Sequence, residues 1–585
     1  MSPLRKFLHA AAPLAPVLFF LCFAYPGLGA YFTGDDLMNI QHMHGYFTKP
    51  FWRVVLDVFN PMTSSYRPMG GLFYRSLYAV AGFHPLPFRI ACFALLTGNL
   101  LLAYRLLRML TGSREAALVG TLILSYHAEM YGLYFNTGTV YDILCFTFVT
   151  LALTLYVGCR QNGGGLGWRV WAGLVALDVF ALQSKEMAWM LPAFLLLYEG
   201  IWWGRRSFLA PCLVTGLLTL TPLFPRILGP TGLTSSPLYH LTLTPGYYLA
   251  NCARYASLLL YAPGRLGVAV LLAMWAAMAL AAALLRSRAM WFGLLFWMAA
   301  VVPVAVIPGR DAFVLYLPML GLALYAGALA ARAAAPLRPA WRVGLFLLLA
   351  AGLATAHSRM RSAADETLRV QSETHDLVTQ LRRLHPRLVP RAQVLFVEEP
   401  FDDDWFLAFL LRLLYDDGGI WVDRSATRPH VRPYEYVFRY AGGKLEELPP
   451  RPAPCSPQVV SAGAVDDSSP VLCWSGDWGS ERFPQAAEGT LTHASDAGAT
   501  VTLRFRGTAL EYVCTKAFNR GLAEMIIDGS SRGPLDLYSA ETVWQAAFRF
   551  DGLAPGDHVA LLRVLGRRNA AAGDSIVDVD AFRVW

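Results

Sequence analysis

Charge is what this chain has least of. Only 15% of its 585 residues are Asp, Glu, Lys or Arg, where a soluble protein carries about 25%. That deficit excludes an ordinary soluble globule. With 55% hydrophobic residues and a mean hydropathy of +0.41, the apolar excess lies before about residue 356, in blocks long enough to span a hydrocarbon core of ~30 Å. The net charge of +8 is no nucleic-acid footprint, because the basic residues sit in short clusters between apolar blocks, where a polytopic protein keeps its cytoplasmic positive charge. Cysteine is also scarce, with nine in all. Cys22, Cys92, Cys145, Cys159, Cys212 and Cys252 read as small apolar filler. Cys455 and Cys473 could pair in an oxidising compartment, and Cys514, in a strand-like run, reads as a buried free thiol. A convincing small-residue cleavage site before Tyr31 is lacking too, so the first apolar stretch is expected to stay as a span.

The basic clusters set an orientation. Arg5 and Lys6 hold the N-terminus inside, and span 8–28 exits and leaves Asp35 and Asp36 outside. Spans 86–108, 115–132, 139–158, 169–183, 187–203, 208–227, 266–285, 289–307, 312–331 and 341–356 then alternate. Arg105 and Arg108, Arg160 and Arg169, Arg205 and Arg206, Arg286 and Arg288, and Arg332 all fall on the inner side. This makes about eleven spans and delivers 357–585 to the outside. The segment 247–262 contains Asn251 and Arg254 and is placed on the outer interface; were it to span, the tail would change sides.

Acids held at a membrane boundary are functional candidates by default, and Asp35-Asp36 is such a pair. Further along come Tyr66-Arg67-Pro68, Ser125-Tyr126-His127-Ala128-Glu129, Asp142, Lys185-Glu186, Gly309-Arg310-Asp311 and Leu315-Tyr316-Leu317-Pro318, each weak alone but specific as a set through their order and sidedness. With these motifs the membrane part resembles the GT-C superfamily of integral membrane glycosyltransferases. Its nearest look is to the branch of protein O-mannosyltransferases, tetratricopeptide-linked transmembrane O-mannosyltransferases and lipid A aminoarabinose transferases. It departs where a His-Pro pair usually precedes the His-x-Glu, since Leu124-Ser125 stand there.

The resemblance implies a polyprenyl-phosphate sugar as donor and a glycan, lipid or protein as acceptor. Such transfer needs a base for the acceptor hydroxyl, for which Asp35 is the first choice and Asp36 the alternate; either acid could instead cap a helix starting at Leu37. The departing phosphate needs cations. Arg67, Arg310 and Lys185 are the candidates, unless Arg310 pairs with Asp311 and Lys185 with Glu186. Glu129, Asp142, His127 and Glu186 are candidates for acceptor positioning or a divalent metal ion, and His42 and His44 are further candidates for completing a metal site.

Beyond 357 the pattern changes. A strand-like run at Ala392–Val397 and a helical one at Trp405–Tyr415 read as a small α/β element over 389–448, with Asp402, Asp403 and Asp404 as a solvated loop. Pro449, Pro450, Pro452 and Pro454 mark a linker. After it, short period-two runs such as Thr500–Phe505, separated by Asp528-Gly529, Asp551-Gly552 and Pro555-Gly556-Asp557, indicate an all-β sandwich. From 474 to 585 this resembles the galactose-binding-like jelly-roll modules of carbohydrate-active proteins, which implies sugar-binding aromatics among Trp474, Trp478, Tyr538 and Trp544.

The expectation is therefore a polytopic α-helical membrane protein with three regions: a GT-C-like domain 1–356, an α/β connecting region 357–448 and a β-sandwich 449–585. It would move a sugar on the periplasmic side of a bacterial inner membrane, with inversion. The alternative is a non-catalytic polysaccharide export, assembly or glycan-binding protein. A transporter fits less well, because transporters keep their charges at the midplane and these acids gather at one face.

Overall fold

The computed structural model describes residues 13–47, 50–60, 67–163, 166–204, 209–222, 239–262, 264–401, 403, 405–424, 434–449, 455 and 458–585. Arg5, Lys6, Tyr66, Arg205, Arg206, Asp402 and Asp404 lie outside the described residues, as does the side chain of His44. The chain divides into two compact units, Met1–His375 and Asp376–Trp585.

The first unit is helical. Among the described residues, five helical segments are long and apolar enough to cross a bilayer: Pro85–Thr111, Thr137–Gln161, Arg288–Ala305, Ala312–Ala334 and Pro339–Arg359. Shorter apolar helices cover Leu14–Leu28, Leu209–Leu220 and Val268–Leu284, and Arg114–Ser125, Trp168–Leu182 and Leu191–Trp202 lie at the remaining expected spans, although the first ends at Ser125 where the expected span ran to 132 and the last begins after a 3₁₀ turn at Glu186–Met190. This is the make-up of a multi-pass membrane protein. Local signals set the boundaries. Pro85 opens its helix at a position where no amide donor is missed, and Gly112, left-handed at φ 67°, closes it with its N–H on the Arg108 carbonyl. The next helix begins one residue later, where Ser113 Oγ accepts from the Ala116 N–H.

Helices Arg288–Ala300 and Tyr316–Ala334 meet at facing glycines. A Cβ on Gly293 would lie 2.6 Å from the Gly321 carbonyl oxygen, and one on Gly321 2.6 Å from that of Gly293. Only small residues allow backbones this close in an apolar medium. The segment expected on the interface forms the 15-residue helix Pro245–Leu259, about 22 Å long at 1.5 Å per residue. Its Asn251 is buried against protein, donating to the Ala305 and Ile307 carbonyls at 2.9 and 3.2 Å.

In the second unit a four-stranded sheet has the order β2-β1-β3-β4, with β1 Gln393–Glu398, β2 Trp421–Arg424, β3 Tyr436–Ala441 and β4 Lys444–Leu448. β1 runs parallel to both neighbours, and helix Phe406–Leu414 connects β1 to β2. Twelve further strands, β5 (Gly463–Asp466) to β16 (Ala581–Val584), form sheets of four, five and three strands. Burial alternates along Thr500–Gly507 as its period-two pattern requires. At Asp528-Gly529 both residues have positive φ, 50° and 76°, which a primed hairpin turn demands. Cys455 and Cys473 are disulfide-bonded, and Cys514 is a buried free thiol.

Two of the expected sugar-binding aromatics are core residues. Trp474 and Trp478 are 8% and 0% exposed and meet edge-on at 4.8 Å between centroids. A ring enclosed by the sandwich has no face left for a sugar. Tyr538 and Trp544 are half-buried, and Trp544 packs on Phe483 at 5.3 Å.

Candidate active site

Helix Gly34–Phe47 starts at Thr33 with a reciprocal cap. The Thr33 N–H donates to Asp36 Oδ2 at 2.9 Å, and the Asp36 N–H donates back to Thr33 Oγ1 at 3.3 Å, the capping-box pattern with aspartate as the returning acid. Asp36 is 0% exposed and is met at 3.0 Å by the guanidinium of Arg89, itself 1% exposed. Arg89 also donates to the Tyr31 and Ala30 carbonyls. Asp36 is thus built into the helix start.

Asp35 is turned the other way. Successive helical residues are rotated by about 100°, so adjacent acids cannot share one environment. Asp35 is exposed and lines a cavity of about 450 Å³; Asp36 is not in that lining. Asp35 Oδ2 accepts from Asn136 Nδ2 at 2.9 Å, and its main-chain carbonyl accepts from Asn39 Nδ2 at 2.7 Å. Asn39 in turn accepts from the Tyr141 hydroxyl at 2.6 Å.

Arg67, Lys185 and Arg310, the three candidate phosphate contacts, all line the same cavity. Arg67 is bidentate to Glu186 at 3.2 and 2.7 Å and lies over the Tyr141 ring at 5.2 Å. Its backbone is left-handed, φ 44°, an unfavourable conformation for a residue with a Cβ. Lys185 is 2.5 Å from Asp142 Oδ2 and 5.2 Å from the centre of the Phe313 ring. The alternative pairing of Lys185 with Glu186 gives way to two crossed pairs, because neighbouring residues on an extended backbone point apart. Arg310 lies over the Tyr239 ring at 4.2 Å. Burial raises the Glu186 carboxyl, but the charge and hydrogen bonds of Arg67 overcome it, so Glu186 titrates below its usual range.

The remaining walls are apolar and include Met187, Trp189, Met190, Val302, Val306, Ile307 and Val314. The charged lining is balanced: Asp35, Asp142 and Glu186 against Arg67, Lys185 and Arg310.

His127 and Glu129 are not in this lining. The His127 ring stacks on Tyr261 at 4.4 Å with Nε2 3.0 Å from the Leu259 carbonyl, and Glu129 is half-buried. Among the described residues no three His, Cys, Asp or Glu side chains form a metal-binding group. Of the candidate ligands, Asp142 and Glu186 already meet a lysine and an arginine, and His127 and Glu129 lie outside the cavity lining. Asn39, Asn136 and Tyr141 belong to the site but were not singled out in the sequence. Asn136-Thr137-Gly138 carries a turn signal, which marks a cap and says nothing of its neighbour across the fold.

No family model matches the chain. Over 94 residues, 16% of the chain, it is 35% identical to the A type blood N-acetyl-alpha-D-galactosamine deacetylase of Flavonifractor plautii, and it spans only 12% of that relative's length. Among solved structures it is similar to ArnT from Cupriavidus metallidurans bound to undecaprenyl phosphate, with 13% identity, 72% of this chain and 86% of that one covered, and a TM-score of 0.41. It is also similar to the oligosaccharyltransferase AglB from Archaeoglobus fulgidus in complex with an inhibitory peptide and a dolichol-phosphate, with 11% identity, 72% and 65% covered, and a TM-score of 0.43. At these scores the likeness transfers no mechanism.

Proposed function

We propose that the chain is a membrane glycosyltransferase of GT-C type that takes a sugar from a polyprenyl-phosphate donor and passes it, with inversion, to an acceptor on the non-cytoplasmic side. The observation that carries this reading is one cavity whose lining joins an exposed carboxylate, Asp35, to three cations among apolar walls. Asp35 would take the proton of the acceptor hydroxyl while that oxygen bonds the anomeric carbon and the bond from the anomeric carbon to phosphate oxygen breaks. The charges then compensate. The donor phosphodiester leaves with one more negative charge as Asp35 loses its own, so the cavity gains one net positive charge when the phosphate needs it. Arg67, Lys185 and Arg310 are the proposed phosphate contacts, with Glu186 and Asp142 holding the first two in place. The apolar walls suit the lipid end of the donor, and the Cys455–Cys473 disulfide suits an oxidising outer compartment.

The test is transfer from a polyprenyl-phosphate monosaccharide by purified Asp35→Asn protein. Turnover is expected to fall by roughly 10²–10⁴-fold, the usual contribution of a positioned base, with donor binding little changed. Unimpaired transfer by correctly folded Asp35→Asn protein overturns the reading and favours a non-catalytic role in glycan export or assembly.

A further inference from the structure

Asp35 is held from outside its own helix. Asn136 caps the 3₁₀ turn Thr137–Thr139, its Oδ1 accepting from the Gly138 N–H at 2.7 Å. A backbone N–H can only donate, so the atom facing it must be the amide oxygen, and the NH₂ must face Asp35. Thr33 Oγ1, 3.0 Å from the same Oδ1, agrees with that assignment. The amide is thus locked by the turn with a donor 2.9 Å from the Asp35 carboxylate. A second feature of the turn converges on the same acid. A Cβ on Gly138 would stand 2.7 Å from the Asp35 Cβ and 2.8 Å from Asn136 Oδ1, so this approach requires a residue without a side chain.

We infer that Asn136 is a positioning residue for the proposed base: its side-chain N–H fixes the Asp35 carboxylate at the cavity wall and favours its ionised form. This rests on the glycosyl-transfer reading of the cavity. A donor aimed at a carboxylate stabilises the charged state, and a restrained base spends more of its time in the reactive orientation. Among the described residues, the charged and titratable groups around Asp35 include Asp36 on its own helix, Tyr74 on Pro68–Ala81, and, in the cavity lining, Tyr141, Asp142, Arg67, Lys185, Glu186 and Arg310. All of them are the same in the parent and in the variants below.

The experiment compares Asn136→Asp with the parent in pH profiles of kcat, using a polyprenyl-phosphate monosaccharide as donor, with thermal midpoints measured in the same detergent. The aspartate keeps an oxygen for Gly138 and Thr33 but turns a carboxylate oxygen, not a donor, toward Asp35. The midpoint of the acid limb is expected to move up by about one unit or more as two carboxylates share the site. At neutral pH kcat is expected to fall roughly tenfold, the scale of one hydrogen bond to a charged group, with the donor KM unchanged. Asn136→Ser, a shorter residue that can still cap, is expected to shift the limb in the same direction by less, and it decides the matter if the aspartate variant does not fold. A merely structural role would lower the thermal midpoint and leave the pH profile in place. An unmoved acid limb in folded variants, while Asp35→Asn abolishes turnover, overturns this inference and leaves the base standing. Full turnover by Asp35→Asn overturns the base itself, and the inference with it.

Discussion

Two adjacent acids in this chain have opposite lives. Asp35 lines the cavity, whereas Asp36 closes a cap and neutralises a buried arginine. Breaking a buried pair strands the surviving charge, which costs about 3–5 kcal/mol. Arg89→Ala is therefore expected to lower the thermal midpoint of the purified protein sharply. Asp36→Asn is expected to lose stability as well, yet to retain far more transfer per folded molecule than Asp35→Asn. Measuring transfer and unfolding on the same samples separates the two roles. Equal loss of transfer per folded molecule in both aspartate variants would mean that Asp36 is more than a support.

Among the elements, the strands of the second unit carry a pH dependence with a definite sign. Asp467, which follows β5, is buried and pushed up to about 7, although Thr490 and Thr492 both donate to it. An aspartate in the unfolded chain titrates near 3.9, so between those values the folded state binds the extra proton. Its contribution to stability is greatest at or below about pH 4, falls as pH rises toward about 7, and is flat above. His558, raised by its hydrogen bond to Asp528, adds a loss of the same sign as pH rises through its folded value. Denaturant unfolding of parent and Asp467→Asn protein at pH 5 and pH 8 isolates the aspartate. The variant is expected to lose less stability than the parent between the two pH values. A slope as steep as the parent's would assign the whole effect elsewhere.

At the scale of the whole molecule, the expected alternation of spans sends everything after residue 356 to the outer side. A reporter fused after Trp585 is expected to be active only outside the cytoplasm, and activity inside would mean that Pro245–Leu259 spans after all. Cutting the chain near Pro449 removes β5 to β16 and leaves the first unit whole, because the described cavity lining ends at Val314. Transfer to a small soluble acceptor is expected to persist in that truncated protein, while recognition of the natural acceptor weakens. Complete loss of turnover by a truncated protein that still folds would show that the sandwich completes the site.

The sequence alone determined the helical unit, its spans, the change to period two beyond the proline run and the hairpin at Asp528-Gly529. Each follows from local periodicity, composition or backbone preference, which neighbouring residues carry between them. It also named the residues that meet in the cavity: Asp35, Arg67, Asp142, Lys185, Glu186 and Arg310. Only the tertiary structure decided who faces whom. Lys185 meets Asp142 and Arg67 meets Glu186, across 43 and 119 residues of chain. Asn136 reaches Asp35 across 101, and Trp474 and Trp478 turn into the sandwich instead of out of it. Partner choice across such separations depends on how helices and sheets pack, and packing distances are not written in any local pattern of residues.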